Sequence, residues 1–144
     1  MRTIIIILFV VVLGGMAYVR LAPTNADVWH QRPDIGTVGD NASLWSFTAT
    51  RKLVVPAKEA LQALEQRALA TPRTTLIAGS ADEGMLTFRT RSLLWGFPDF
   101  TTIWAEGDTL VIYARLRFGN GDQGVNRARV REWLAEIAPL TAPL

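Results

Sequence analysis

Residues 110–137 read LVIYARLRFGNGDQGVNRARVREWLAEI, and three local patterns follow one another in this stretch. The first nine residues alternate apolar side chains with a second set that includes Arg115 and Arg117, as a strand with one buried face does. A run rich in Gly, Asn and Asp then predicts a sharp turn. In the last thirteen residues the apolar positions are three and four apart, so the stretch ends in a predicted helix.

The same reasoning predicts the elements that precede this stretch. Pro56 and Pro72 bracket an amphipathic helix with Leu61, Leu64 and Ala68 on its apolar side. Short connections between the later strands favour antiparallel neighbours. We therefore expect a two-layer α+β domain over residues 44–144, with an antiparallel sheet of about five strands and two helices on one face. The further predicted strands cover residues 45–50, 74–78, 85–92 and 100–105.

The turn at residues 119–126 carries a family resemblance. It reads GNGDQGVN, and the bacterial family called domain of unknown function 1499 commonly has G-x-S-D-x-G-V-N there, followed by a basic helix start. Upstream, the run GFPD at residues 96–99 resembles that family's second block, F-x-D. The resemblance extends over roughly residues 44–138. The residues that carry it are Asp99, Gly119, Asp122, Gly124 and Asn126.

This resemblance implies a fold and a setting in the bacterial cell envelope, but the family brings no assigned activity. From the residues themselves, Asp122 and Asn126 are expected to bond backbone amides near the start of the last helix. Asp99 is expected to do the same in its own loop.

Residues 4–19 are an unbroken apolar run between Arg2 and Arg20. A helix of this length spans roughly 24 Å, and it reaches further if Arg20 extends its charge toward water. Three interpretations stay open: an uncleaved single-pass anchor, a signal peptide cleaved near Tyr18, or a buried core helix. The first two place the remaining chain in the periplasm, either attached to the bacterial inner membrane or secreted after cleavage.

Residues 21–43 contain Pro and Gly with no apolar period, which predicts a linker. Trp29 within it fits two positions equally well: the outer membrane interface, or the surface of the domain. His30 is the single histidine, and no Cys is present, so the sequence offers no recognisable metal site.

The charge of the chain excludes one large class of partner. Arg2 and Arg20 are two of the 15 basic residues, so the rest of the chain has 13 basic and 13 acidic residues. A neutral domain lacks the strong basic excess that nucleic-acid binding requires. We therefore expect no nucleic-acid partner.

Two strands share an x-Arg-x-Arg pattern that predicts an anion-binding surface. Arg89 and Arg91 alternate with apolar side chains in one strand, as Arg115 and Arg117 do in another. In a simple meander these strands are two apart, so the side chains would meet across roughly 10 Å on the face opposite the helices. Anionic lipid or an envelope protein would suit this surface. The alternative is that nearby carboxylates neutralise it.

Enzymatic motifs are absent from the sequence. It has no nucleophile elbow, phosphate-binding loop, zinc-protease motif or cysteine nucleophile, and nothing in it implies a cofactor. An apolar connection at residues 93–98 either caps the core or contacts lipid, a ligand or a partner. The leading expectation is a non-catalytic binding or scaffold module at a membrane surface. The alternative is a hydrolase-like enzyme that uses Asp99 and Asp122 as a carboxylate pair.

Overall fold

The computed structural model describes residues 1–121 and 123–144 of the chain. The helices are α1 (Arg2–Leu21), α2 (Ala26–Trp29), α3 (Ala57–Ala70) and α4 (Val125–Glu136), and a 3₁₀ turn covers Ala138–Leu140. The strands are β1 (Asn41–Ala42), β2 (Ser46–Leu53), β3 (Thr74–Ser80), β4 (Met85–Arg91), β5 (Pro98–Glu106), β6 (Thr109–Leu116) and β7 (Thr141–Ala142).

Within the described residues, seven antiparallel strands form one sheet in the order β1-β2-β6-β5-β4-β3, and β7 lies beside β2. The predicted α+β class, the antiparallel meander from β3 to β6 and the order of the main elements are confirmed. The predicted count of about five strands is wrong. β1 and β7 have two residues each, which is too short to produce an alternating pattern, and both pair with β2.

Helices α3 and α4 cover one face of the sheet, and the main core lies between them and the strands. Pro56 precedes α3, where the helix needs no amide hydrogen. Spacings of three and four then place apolar side chains on one side of each helix, and the side chains that β2, β4, β5 and β6 present to that face meet them. The fully buried members on the helices are Ala60, Leu61, Leu64, Ala68, Val130 and Trp133.

Trp133 of α4 joins the two helices to the sheet. Its ring meets Phe88 of β4 edge to face, with 6.1 Å between centroids, and its indole N–H donates to the Thr71 hydroxyl at 2.8 Å. Beside it, Arg67 of α3 pairs with Glu136 of α4 at 2.7 Å. The large ring is thus fully buried while its one polar atom keeps a partner.

The opposite face of the sheet is also covered. The segment after α1, including α2, lies across it. Trp29 stacks on Phe100, and Ile35 packs against the cluster formed by Met85, Trp104 and Val111. The predicted two-layer arrangement is therefore incomplete, because polypeptide packs on both faces. The covering segment lacks an apolar period since its contacts come from a few isolated side chains and from its backbone.

Replacing the buried indole tests this account of the core. Trp133→Ala should lower the free energy of unfolding by about 3 to 5 kcal/mol, because it leaves a cavity and removes the hydrogen bond to Thr71. The matched control is Trp95→Ala, since Trp95 is 42% exposed; its cost should stay under about 1 kcal/mol. Guanidinium unfolding of the full chain in detergent micelles measures both. Equal costs would contradict this description of the core.

Candidate functional site

The register of the strands shows where the predicted arginines lie on the sheet. Arg89 of β4 and Arg115 of β6 both pair with Phe100 of the intervening β5, so the three side chains form one row on the face away from α3 and α4. Arg91 pairs with Pro98 in the next row on that face. Arg117 follows directly after the end of β6.

Trp29 covers the middle of this row. Its ring stacks on Phe100 with 3.9 Å between centroids and 15° between planes. Its backbone carbonyl accepts hydrogen bonds from the Arg115 guanidinium at 2.5 Å and from the Thr102 hydroxyl at 3.1 Å. Of the two positions considered for Trp29, the structure therefore shows packing on the domain.

Arg115 is enclosed by the segment that it holds. Its guanidinium carbon lies 5.1 Å from the Trp29 ring centroid and 5.0 Å from that of Tyr113. Burial lowers the pKa of the Arg115 guanidinium, against a smaller opposing effect of Tyr113. The side chain is thus directed toward the N-terminal segment rather than toward an open surface.

Arg91 connects β4 to the end of α1. It donates to the carbonyl of Gly96 at 2.9 Å, to that of Arg20 at 3.0 Å and to that of Val19 at 3.5 Å. Burial lowers the pKa of Arg91, and the positive charges of Arg89, Arg20 and Arg117 lower it further. A local excess of positive charge therefore exists at the end of α1.

Carboxylates of the described residues form no ion pair with these arginines. Among the ion pairs of the described residues, none joins an Asp or Glu to Arg89, Arg91, Arg115 or Arg117. Arg117 stacks over Phe118 at 5.1 Å, and its Nη1 is buried without a hydrogen-bond partner. The acceptors that the other three arginines use are backbone carbonyls and hydroxyls.

The apolar loop (residues 92–97) joins β4 to β5 beside these arginines. Ser92 and Phe97 close it with two hydrogen bonds of 2.9 and 3.0 Å. Gly96 is buried with φ +74°, and a Cβ there would lie 2.6 Å from the Arg20 side chain, so this position needs glycine. At the tip, Leu93 is 76% exposed and Leu94 is 68% exposed. The loop thus turns its largest aliphatic side chains outward.

Aromatic rings tie the apolar loop to α1. Trp95 stacks on Phe97, Phe97 lies against Phe118, and Phe118 meets Tyr18 of α1, with centroid separations of 6.3 to 6.4 Å. The Arg20 guanidinium also donates to the carbonyl of Leu94 at 3.1 Å. The loop and the end of α1 therefore form one contiguous surface.

The family-like turn (residues 119–126) connects the end of β6 to the start of α4. Gly119 and Gly124 both have positive φ, and Gly124 precedes α4. Asn126 is fully buried and its side-chain oxygen accepts from Arg129, whose guanidinium lies 4.0 Å from Asp99. The contacts of Asn126 and Asp99 thus include the Arg129 side chain.

The catalytic alternative needs Asp122, which lies outside the described residues. Its partner in that hypothesis, Asp99, is 15% exposed and forms the ion pair with Arg129. In the part of the chain that the structure describes, no three His, Cys, Asp or Glu side chains are grouped in a way that would hold a metal ion.

Sequence reasoning missed two arginines of this region. Arg20 was assigned to the end of the apolar run, yet its side chain lies against Gly96 and binds Leu94. Arg73 follows α3 with φ +60°, and its Nε donates to the carbonyl of Arg91 at 3.0 Å. Neither belongs to an alternating pattern, so only the spatial arrangement identifies them.

Comparison with known proteins is consistent with the family resemblance. No curated protein matches the chain. A family model described as "Protein of unknown function (DUF1499)" matches residues 38–137. This match covers β1 to β6, α3 and α4, and therefore more than half of the chain. The chain belongs to the DUF1499 family of proteins of unknown function.

Proposed function

We propose that this protein is a membrane-anchored, non-catalytic binding module whose domain rests directly on the bilayer surface. In this proposal α1 crosses the bacterial inner membrane once and the domain lies in the periplasm. The apolar loop enters the outer part of the bilayer, and the arginines beside it lie at the level of the lipid headgroups.

The properties of α1 support an anchor. It has 20 residues and a mean hydropathy of 2.6 over its most apolar stretch, and Val19, near its end, is the one residue of this helix that is buried in the protein. A helix of this length extends about 30 Å, the thickness of a bilayer core. By length and composition it is suited to cross a membrane, although a signal sequence shares these properties. The apolar side chains from Ile4 to Leu13 are exposed and do not contribute to the hydrophobic core of the domain.

The observation that carries the proposal is the contact between the end of α1 and the apolar loop. Arg91 binds the carbonyls of Val19 and Arg20, and Arg20 in turn binds that of Leu94. The end of a membrane-spanning helix lies at the interface between lipid and water. Because the loop is fixed beside that end, the loop must lie at the same depth.

The composition of the loop suits this depth. Leu93 and Leu94 expose apolar surface to water in the isolated chain, and full burial of such a side chain is worth about 1.5 to 3 kcal/mol. Trp95 and Tyr18 are residues that favour the interface, where a ring meets both lipid and water. Docking of the domain would therefore be favourable without any further partner.

Anchoring can be tested on the native protein. We expect it to stay in the membrane pellet during alkaline carbonate extraction and to show the intact mass of a chain that retains residues 2–17. A soluble exported protein that begins near Tyr18 would instead establish the cleaved-signal alternative.

Depth in the bilayer can be measured because the chain has no native cysteine. A nitroxide on Leu94→Cys in full-length protein, reconstituted in phosphatidylcholine bilayers, should be accessible to oxygen and shielded from a water-soluble nickel chelate. The matched control is Glu83→Cys, in the exposed turn at the opposite end of β4, about 23 Å away along the strand. Its label should show the reverse accessibility. Equal access of the nickel chelate to both labels would contradict the docked arrangement.

A further inference from the structure

Four arginines enclose a cleft next to the apolar loop. Arg89 and Arg91 come from β4, Arg20 from α1 and Arg73 from the turn before β3, and the cleft has a volume of about 310 Å³. The hydroxyl-bearing residues Thr75 and Ser92 also line it, as does Leu93 at the loop tip. In the part of the chain that the structure describes, no acidic residue contributes to this lining. We call it the arginine cleft.

The guanidinium groups of the cleft retain unused hydrogen-bond donors. Four such groups carry about twenty N–H bonds. In the described structure they donate to five backbone carbonyls, and Arg89 makes two longer contacts of 3.4 Å with hydroxyls. Arg73 donates through its Nε, and its two terminal nitrogens have no acceptor among residues 1–121 and 123–144. The cleft therefore has donors and space for an anion.

Electrostatic repulsion also favours an anion here. Arg91 is partly buried, and the charges of Arg89, Arg20 and Arg117 act on it together. No carboxylate of the described residues pairs with any of the four cleft arginines. A bound anion would relieve this repulsion, and the planar fork of Arg matches two oxygens of a phosphate group.

We propose that the arginine cleft binds the phosphate group of an anionic phospholipid from the outer leaflet. This proposal rests on the docked arrangement proposed above, which places the cleft at headgroup depth. Leu93 both lines the cleft and lies at the exposed tip of the apolar loop. The acyl chains of a lipid whose phosphate lies in the cleft would therefore be beside apolar surface. A lipid phosphate is favoured over free phosphate because one ligand meets both the charged and the apolar parts.

The substitutions that test the cleft are Arg73→Gln and Arg89→Gln, made together. Among the described residues Arg73 donates one hydrogen bond and Arg89 makes two long contacts of 3.4 Å, whereas Arg91 donates three, two of them to the end of α1. The fold and the junction with α1 should therefore persist in this variant. The matched control is Arg32→Gln with Arg127→Gln, which removes the same charge from two exposed positions outside the cleft.

Native mass spectrometry of the full-length protein in detergent can compare phosphatidylglycerol with phosphatidylcholine. We expect the parent and the control to bind phosphatidylglycerol at least about tenfold more tightly, and the Arg73/Arg89 variant to lose that preference. Equal binding of the two lipids by the parent, or an unchanged preference in the Arg73/Arg89 variant, would overturn the proposal. Inorganic phosphate that binds as tightly as phosphatidylglycerol, and displaces it, would assign the cleft to free phosphate instead.

The nitroxide at Leu94 separates this proposal from the docked arrangement. The Arg73/Arg89 variant should leave that label at its parental depth in neutral phosphatidylcholine bilayers, because the loop and α1 are unchanged. Loss of lipid preference with unchanged depth is the result we expect. A parent that shows no lipid preference while its label remains buried would overturn the cleft and leave the docked arrangement standing. A label in water would overturn the docked arrangement itself.

Discussion

The hydrogen bonds from Arg91 to the end of α1 are the interaction on which the arrangement of this protein depends. The last carbonyls of a helix have no partner within the helix, and they carry its negative dipole end. In α1 the Tyr18 carbonyl accepts from the amide of Ala22, while those of Val19 and Arg20 accept from Arg91. One cation on the sheet thus satisfies two orphan acceptors. These bonds hold the domain directly against the helix end.

The row formed by Arg89, Phe100 and Arg115 extends this attachment across the sheet. Trp29 stacks on Phe100, and the carbonyl of Trp29 accepts a hydrogen bond from Arg115. The segment after α1 is therefore held on the row of side chains next to the row that contains Arg91. The arginines that the sequence predicted to form one surface therefore have two roles, which are attachment of the N-terminal segment and lining of the arginine cleft. Arg115 holds the N-terminal segment, whereas Arg89 lines the arginine cleft and Arg91 contributes to both the cleft and the junction.

Much of the fold was predictable because the elements that form it have regular periods. Apolar and polar side chains alternate along β6, glycines mark the turn after it, and apolar side chains recur every three or four residues along α4. Each pattern indicates the local backbone geometry, and the short connections between strands imply a meander. The two-residue strands beside β2 were not predictable, since their pairing has no periodic signature. The cover on the second face was missed for a similar reason: Trp29 and Ile35 are isolated apolar residues among Pro, Gly and Asp.

The candidate site was predictable only in part. Alternation assigned Arg89 and Arg115 to one face, and the meander placed one strand between them. Neither pattern reveals that Arg20 and Arg73 complete a cleft, because these two residues come from a helix end and a turn. The exposed tip of the apolar loop likewise depends on how the chain folds back at Gly96, which the run of apolar residues does not specify.

The most direct test of the junction is the distance distribution between spin labels on α1 and on the far end of the sheet. Ala17→Cys and Glu83→Cys are suitable, since both positions are exposed and no native cysteine competes for the label. Double electron–electron resonance on the full-length protein in lipid nanodiscs should give one narrow distribution, and Arg91→Met should broaden it. A broad distribution in the parent protein, as expected for a domain on a flexible tether, would contradict the account.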